Sequence, residues 1–513
     1  MKEGKNIIVK DSILIAILVC AGKVLGFTKQ SIIAWAFGTS IETDLYFVSD
    51  GYISTIAQVL SLSIIPTVLS AYLLVQSNDK QKANELISQN FTFFSLIGGI
   101  LAGISILLSN QISLVIGISY TEEQRRILSH FLIALSPVIL LAAIAGVAQG
   151  YLNANHQYIP TRLNSLFFSA CSILSILLFR KKLGLKSLLL GFVIGYFLYT
   201  IYAVGCIDEK ISFKFKPFSK SDEFKNEISK FLPVVLGTAV VDLGHLIDKI
   251  VASSLQMGSV TILNYGQIIS GDIVNAVVVS TVGTIFFTSF TENVSKGMPA
   301  NTLISNIRNI LTVMSFVVVA ITILYFIAGE DLVRILLERG KFTRQNTILV
   351  SETASMYAIG FIFMAFREIL IKIHYAYQDM VMPAVNSGMG VIINLILSVG
   401  FSKIIGVRGI ALATSVSMMV VTVLSLISIK KHIQKSIFDK KLLCNIFKTI
   451  IAGILTWKIG VFMSNYYGNM ASVLQLVIKG VGSIAVYSVL CSLLKESTIL
   501  DLKKYILKRM DNV

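Results

Sequence analysis

Apolar runs long enough to cross a bilayer recur from one end of the chain to the other. A spanning helix needs about 20 apolar residues. On that criterion about fourteen stretches are readable, near 11–37, 45–76, 89–117, 127–151, 161–180, 185–206, 229–256, 262–291, 303–328, 347–376, 382–402, 407–429, 444–464 and 471–494. Short polar pieces separate them. A β-barrel would alternate over segments of roughly 10 residues instead. The expected fold is therefore an all-α polytopic membrane protein with no separate soluble domain. Composition agrees: 14% of the 513 residues are charged, against about 25% in soluble domains. The first run, from Ser12 to Phe37, is too long for a signal-peptide core and lacks a small-residue cleavage site. It is expected to be a retained first helix.

The charge of +16 raises nucleic acid as a partner, but in a membrane protein it reflects loop lysines on the cytoplasmic side. With the N-terminus inside, about 24 of the 44 Lys and Arg fall in inside loops and tails, about 12 in outside loops and about 8 within spans. Both termini are thus expected in the cytoplasm. So are the segments "DEKISFKFKPFSKSDEFKNE" (Asp208–Glu227) and "KKHIQKSIFDKK" (Lys430–Lys441). The loop "RKKLGLK" (Arg180–Lys186) runs against the rule. The five cysteines are scattered and form no CxxC, which points to small apolar packing residues rather than metal ligands or disulfides.

A faint internal repeat is present. A shift of 220 residues places Lys29 on Lys249, Gly38 on Gly258 and Gly51 on Gly271, and a slightly larger one places Pro160 on Pro383. An even number of spans per repeat gives two halves of like orientation. The expected organisation is an N-terminal lobe of six spans (1–207), a basic cytoplasmic linker (208–228), a C-terminal lobe of six spans (229–429), and two further spans with a basic tail (430–513). By analogy with such folds, two halves enclose a cavity that opens to alternate sides. That favours a transporter over a channel or a membrane enzyme.

Ionisable groups inside spans cost about 2.5–3.5 kcal/mol each on insertion scales and usually face a cavity or a partner. The basic ones are Lys23, Lys29, Lys249, Arg367, Lys372, Lys448, Lys458 and Lys479; the acidic ones are Asp50, Asp242, Asp248, Asp272, Glu352 and Glu368. Lys448, Lys458 and Lys479 are expected to snorkel from span ends. "VVDLGHLIDKI" sets Asp242, His245 and Asp248 loosely on one helix face, either as a proton or cation site or with Asp248 neutralising Lys29 or Lys249. Lys23 and Lys29 have no acid in their own span. They pair with Asp50 or Asp248 across helices, or they form a cationic patch suited to phosphate or carboxylate. The sequence holds no Walker A, GxSxG, HExxH or CxxC motif. An enzyme is not expected, nor any cofactor or metal. Without an ATP site, transport runs on the membrane potential, on H⁺ or Na⁺, or on the substrate's own gradient.

Four stretches carry a family resemblance. "KVLGFTKQSIIAWAFGTSIETDLYFV" (Lys23–Val48), "LIDKIVASSLQMGSVTILNYG" (Leu246–Gly266), "LVRILLERGKFTRQNT" (Leu332–Thr347) and "VRGIALATSVS" (Val407–Ser417) resemble signatures of the MurJ/MviN family. These are lipid II flippases of the multidrug/oligosaccharidyl-lipid/polysaccharide exporter superfamily. The resemblance covers most of the chain. It implies a fourteen-helix, two-lobed transporter of the bacterial inner membrane that carries a lipid-linked saccharide outward by alternating access and contacts membrane lipids. It implies a diphosphate site at Lys23 and Lys29 and an equivalent of the family's acid after the first loop at Asp44; from the chain's own charges, Lys249 is expected to join the two lysines from the other half. Asp44, Asp242, His245, Asp248 and Asp272 are then gating or ion-coupling candidates, and the last two spans form a groove for the polyprenyl tail. The chain departs from the family where arginines are common, carrying Ala57, Gln58 and Ile268. The expected function is transport of an undecaprenyl-pyrophosphate-linked saccharide, lipid II first. The alternatives are a capsule or O-antigen unit flippase, a cation-coupled multidrug antiporter using the acids, and a non-transporting scaffold.

Overall fold

The computed structural model describes residues 2–77, 79–207, 222–274, 283–433, 435–464 and 472–500. Most of the basic linker, with Ser219, and the tail beyond 500 lie outside them. Among the described residues, all regular structure is helical: α1 (Lys2–Phe37), α2 (Ile41–Gln76), α3 (Lys80–Leu107), α4 (Ser109–Ile116), α5 (Glu122–Leu135), α6 (Pro137–Ala154), α7 (Tyr158–Arg162), α8 (Asn164–Leu183), α9 (Lys186–Gly205), α10 (Asp222–Ser253), α11 (Ser259–Val274), α12 (Gly283–Ser295), α13 (Ala300–Leu337), α14 (Arg344–Ile359), α15 (Phe361–Ala376), α16 (Val381–Ile405), α17 (Val407–Ser428), α18 (Lys440–Ser464) and α19 (Ser472–Leu493). Among the described residues, ten segments are long and apolar enough to cross a membrane, or eleven if α14 and α15, bent by 43° at Gly360, form one span. The polytopic all-helical reading stands. The remaining expected spans fall on α8, α10, and α11 with α12.

Local chemistry sets the helix starts. Ser40 and Thr43 close a reciprocal capping box on α2, with N–H to Oγ distances of 3.3 and 2.8 Å. Thr121 and Gln124 do the same for α5. The Asp79 carboxylate accepts from the Gln81 and Lys82 amides at the head of α3. Each such cap satisfies amides that have no partner within the helix, worth about 1 kcal/mol.

The turns carry the internal repeat more plainly than the side chains do. Left-handed backbone occurs at Gly38 and Gly258, at His156 and Gln378, and at Gly184 and Gly406, pairs separated by 220, 222 and 222 residues. Gly184 and Gly406 each turn a tight hairpin, α8–α9 and α16–α17. There the positive φ favours a residue without Cβ.

The chain packs as two compact units. The first holds Met1–Thr261 together with Arg339–Phe342. Here α2 packs on α6 and α10, α3 on α6, α8 on α9, and α1 on α8. Counting by packing, α10 thus belongs with the first six expected spans. Its Thr238 shares a 3.0 Å hydrogen bond with Ser63 of α2. The stretch 339–342 reaches α1 through the Lys341 amide, which donates to the Trp35 carbonyl at 3.1 Å. The Arg180 guanidinium lies 3.7 Å over the Trp35 ring on that same turn.

The second unit holds Ile262–Glu338 and Thr343–Val513. In it α13 packs on α14, α15, α18 and α19, and α17 on α14, α15 and α16. Ile323, Ile327, Ala452, Tyr487 and Cys491 make the buried contact of α18 and α19 with α13. The expectation that Lys479 snorkels is corrected by the fold. Its Nζ lies 2.5 Å from the Asp331 carboxylate, which is 4% exposed. A buried acid two turns from the end of α13 recruits the nearest cation, since an unpaired charge there would be costly. Lys448 donates to the Lys495 carbonyl at 3.0 Å.

Asp44 is held by several hydrogen bonds. It is buried, and its carboxylate accepts the Gly258 amide at 2.6 Å, the Thr261 amide at 2.8 Å and the Thr261 hydroxyl at 2.6 Å. It therefore caps the first turn of α11, where amides and helix dipole both favour an anion. Asp44→Ala is expected to destabilise the protein by about 1–3 kcal/mol for each buried amide left without an acceptor. A fall in the melting temperature of the detergent-purified variant checks this, and an unchanged melting temperature would contradict it.

Candidate functional site

α1, α2, α9 and α10 bring the first unit's intramembrane charges together. α10 lies along α2 because Gly51 offers no side chain. A Cβ there would sit 2.8 Å from Lys249 Cδ and 3.4 Å from its Nζ. The Lys249 chain thus runs against the α2 backbone, buried, beside Asp50. The repeat had aligned Lys249 with Lys29 as residues of two halves; by packing they share one unit.

Lys29 approaches from α1. Its ammonium lies 5.9 Å from the centroid of the Phe192 ring on α9, an electrostatically favourable placement over an aromatic face. Phe168 stacks on Tyr196 at 3.8 Å, and Phe192 meets Tyr196 edge-on. These rings form an aromatic wall beside the lysine.

Asp50 is the shared counter-charge. It acts electrostatically on both Lys29 and Lys249 and accepts the Ser54 hydroxyl at 2.9 Å. Neither lysine makes an ion pair with a described carboxylate within 4.0 Å. Of the two expected pairings, Asp50 is thus a neighbour rather than a contact partner. Two ammoniums and one carboxylate leave a formal charge of +1, with each cation retaining donors for a further anion.

The other sequence candidates occupy distinct places. His245, one turn before Lys249 on α10, is exposed and feels that lysine's charge. Asp242 is half-buried a further turn back, on the same face. Asp248 is buried next to Lys249 in sequence and so turned about 100° away around the helix. Lys23 is exposed on α1. Six helical residues place it about 240° around the axis from Lys29. Asp44 caps α11, as above. The Asp272 side chain lies outside the described residues. Among the departures, Ala57 is buried on α2, Gln58 is exposed, and Ile268 is half-buried on α11. The aromatic wall carried no sequence signal, since Phe and Tyr in an apolar span read as lipid-facing or core residues alike.

The family model "Lipid II flippase MurJ" matches residues 33–478. A probable lipid II flippase MurJ of Borreliella burgdorferi is 24% identical over 489 residues, covering 91% of this chain and 94% of its own length. The corresponding protein of Thermotoga maritima is 22% identical, covering 92% and 94%. Among solved structures, a lipid II flippase MurJ in an inward closed conformation superposes with a TM-score of 0.80 at 21% identity, over 95% of this chain and all of that one. An inward-facing multidrug resistance transporter of the MATE family, in the MOP superfamily, is more distant, with a TM-score of 0.63 at 12% identity over 82% of this chain. With most of its length matched by one family model, the chain belongs to the lipid II flippase MurJ family.

Proposed function

We propose that the chain is a flippase carrying an undecaprenyl-pyrophosphate-linked saccharide, lipid II, from the cytoplasmic to the outer leaflet by alternating access, and that Lys29 and Lys249 hold the diphosphate. As a member of this family it is a transporter and not an enzyme. The observation that carries the reading is the excess of positive charge around Asp50: two ammoniums from different helices, one carboxylate, and no contact ion pair. An ammonium is a strong point-charge partner for phosphate, and a poorly hydrated site amplifies the attraction. The same excess disfavours a cationic drug as cargo. Lys23, farther along α1 and exposed, supplies a further cation on the path of the headgroup.

The finer architecture belongs to the same reading. Adding α8, α10, α11 with α12, and the bent α14–α15 pair to the ten apolar segments gives the expected fourteen spans. Both termini are cytoplasmic in this arrangement, because the basic segments cluster on that side. An inside-negative potential then favours outward movement of an anionic headgroup by about 2.3 kcal/mol per charge per 100 mV. A proton or Na⁺ at Asp242 or Asp248 would add to that drive.

Charge at the two lysines is the test. In a strain with this chain as its sole flippase, Lys29→Ala and Lys249→Ala should each weaken transport roughly 10- to 100-fold, the value of one charge-assisted hydrogen bond, at unchanged membrane levels. Lys29→Arg should keep much of the activity. If the lysines served only to balance Asp50, adding Asp50→Asn to the alanine variants would restore growth; no restoration is expected. Normal growth of the well-expressed Lys29→Ala, Lys249→Ala double variant would overturn the assignment. For orientation, a membrane-impermeant maleimide applied to intact cells should miss Ser219→Cys, and efficient labelling there would reverse the topology.

A further inference from the structure

The second unit assembles a separate cluster that the transport reading does not use. His374 is in the last turn of α15, Asp379 in the turn before α16, and His432 just beyond the 3-10 turn that follows α17. Asp379 Oδ2 lies 3.2 Å from His374 Nδ1 and 2.9 Å from His432 Nε2. The three donor atoms all fall within 4.8 Å of one another. Ligand atoms around a tetrahedral zinc ion, bonded at about 2.0–2.2 Å, sit roughly 3.3–3.5 Å apart, so small side-chain shifts would admit an ion.

The surroundings hold the donors in place. Gln378 takes a left-handed conformation, and the Asp379 amide returns to the His374 carbonyl at 3.0 Å. That turn delivers the carboxylate back onto the histidine. The Met382 amide bonds Asp379 Oδ1 at 3.1 Å, leaving Oδ2 for the cluster. Tyr377 stacks on the His432 ring, 5.0 Å between centroids and 8° from parallel. His374 is fully buried, while Asp379 and His432 are 12% and 15% exposed, which leaves an entry path.

The hydrogen bonds around His374 are compatible with a bound ion. The Ser428 hydroxyl donates to the Ser425 carbonyl at 3.1 Å and accepts from the Asn386 amide at 3.1 Å. It sits 3.0 Å from His374 Nε2. With its proton on the Ser425 carbonyl, that hydroxyl can accept from Nε2, and in that tautomer Nδ1 turns its lone pair toward Asp379 Oδ2, where a cation would bridge the two; in the other tautomer Nδ1–H donates to the carboxylate.

We propose that His374 Nδ1, His432 Nε2 and Asp379 Oδ2 form a binding site for a divalent transition-metal ion of the zinc class, with water as fourth ligand. Two imidazoles and a carboxylate are a donor set suited to that class. The Nε2–H to Ser428 bond is the outer-shell contact that fixes a ligating histidine's tautomer. The ion would fasten the α15–α16 turn to the connection between α17 and α18. The cysteines, whose spacing spoke against a metal, take no part.

The test uses full-length protein in detergent, stripped with a chelator and titrated with Zn²⁺ or Co²⁺. One ion per chain should bind, with a ligand-field absorption for Co²⁺ and a higher melting temperature with Zn²⁺. His432→Gln and Asp379→Asn, at the more exposed ligands, should abolish both effects while keeping the metal-free melting transition. Ser428→Ala should weaken binding about 10- to 100-fold. Failure of the folded wild-type chain to bind one ion, or equal binding by His432→Gln and Asp379→Asn, would overturn the site. The His374 Nδ1–H to Asp379 hydrogen bond would then be what holds the cluster.

Discussion

A backbone in hydrocarbon has no water to bond, so every amide and carbonyl must be satisfied within the protein. That constraint makes the described structure helical throughout, and it also shapes the contacts between helices. Hydroxyls take over where apolar attraction between helices is weak. Ser61 of α2 donates to the Ala142 carbonyl of α6, Ser175 of α8 to the Ser187 carbonyl of α9, and Thr422 of α17 to the Phe363 carbonyl of α15. Their distances are 3.0, 2.6 and 2.9 Å. Each fixes a helix pair with a bond that lipid cannot replace.

The same constraint sorts the charges. Asp331 is matched by Lys479, and Asp44 by two amides and a hydroxyl. Both are structural solutions to a buried anion. Lys29 and Lys249 differ, since they share Asp50 at a distance rather than contacting it. At about 2.5–3.5 kcal/mol for each charge placed in a membrane, an arrangement left one anion short has a cost that binding of an anion offsets. That cost is what favours the proposed binding role over a salt bridge.

Much of this was legible in the sequence because length and hydropathy are local properties. The apolar segments, the intramembrane lysines and the faint repeat all came from reading along the chain. What was not legible depends on long-range pairing. Gly51 looked like one more small residue until Lys249 was found lying against it. The partners of Asp44 were not legible, because nothing local shows that α11 begins over its carboxylate. His374 and Asp379 are five residues apart, but His432 joins them only through the α16–α17 hairpin, so no spacing rule exposes the triad. The repeat was clearer in backbone than in side chains. A left-handed turn constrains φ, and His156 and Gln378 meet that demand with different residues.

The departures from the family pattern acquire a physical meaning from their positions. Ala57 is buried within the first unit's core on α2, 1% exposed. A guanidinium there would displace neighbouring side chains, so the local packing is built around a small residue. Gln58 is exposed and supplies a neutral amide in place of a fixed charge. The positive charge of this unit's interior therefore rests on lysines. Lysine offers a mobile point charge, whereas arginine offers a planar fork matched to two phosphate oxygens. A lysine-lined site binds an anion through its charge and is tolerant of its exact orientation. On the proposed assignment, discrimination among lipid-linked saccharides then comes from groups that contact the sugar or the lipid, with the lysines supplying the affinity common to all diphosphates.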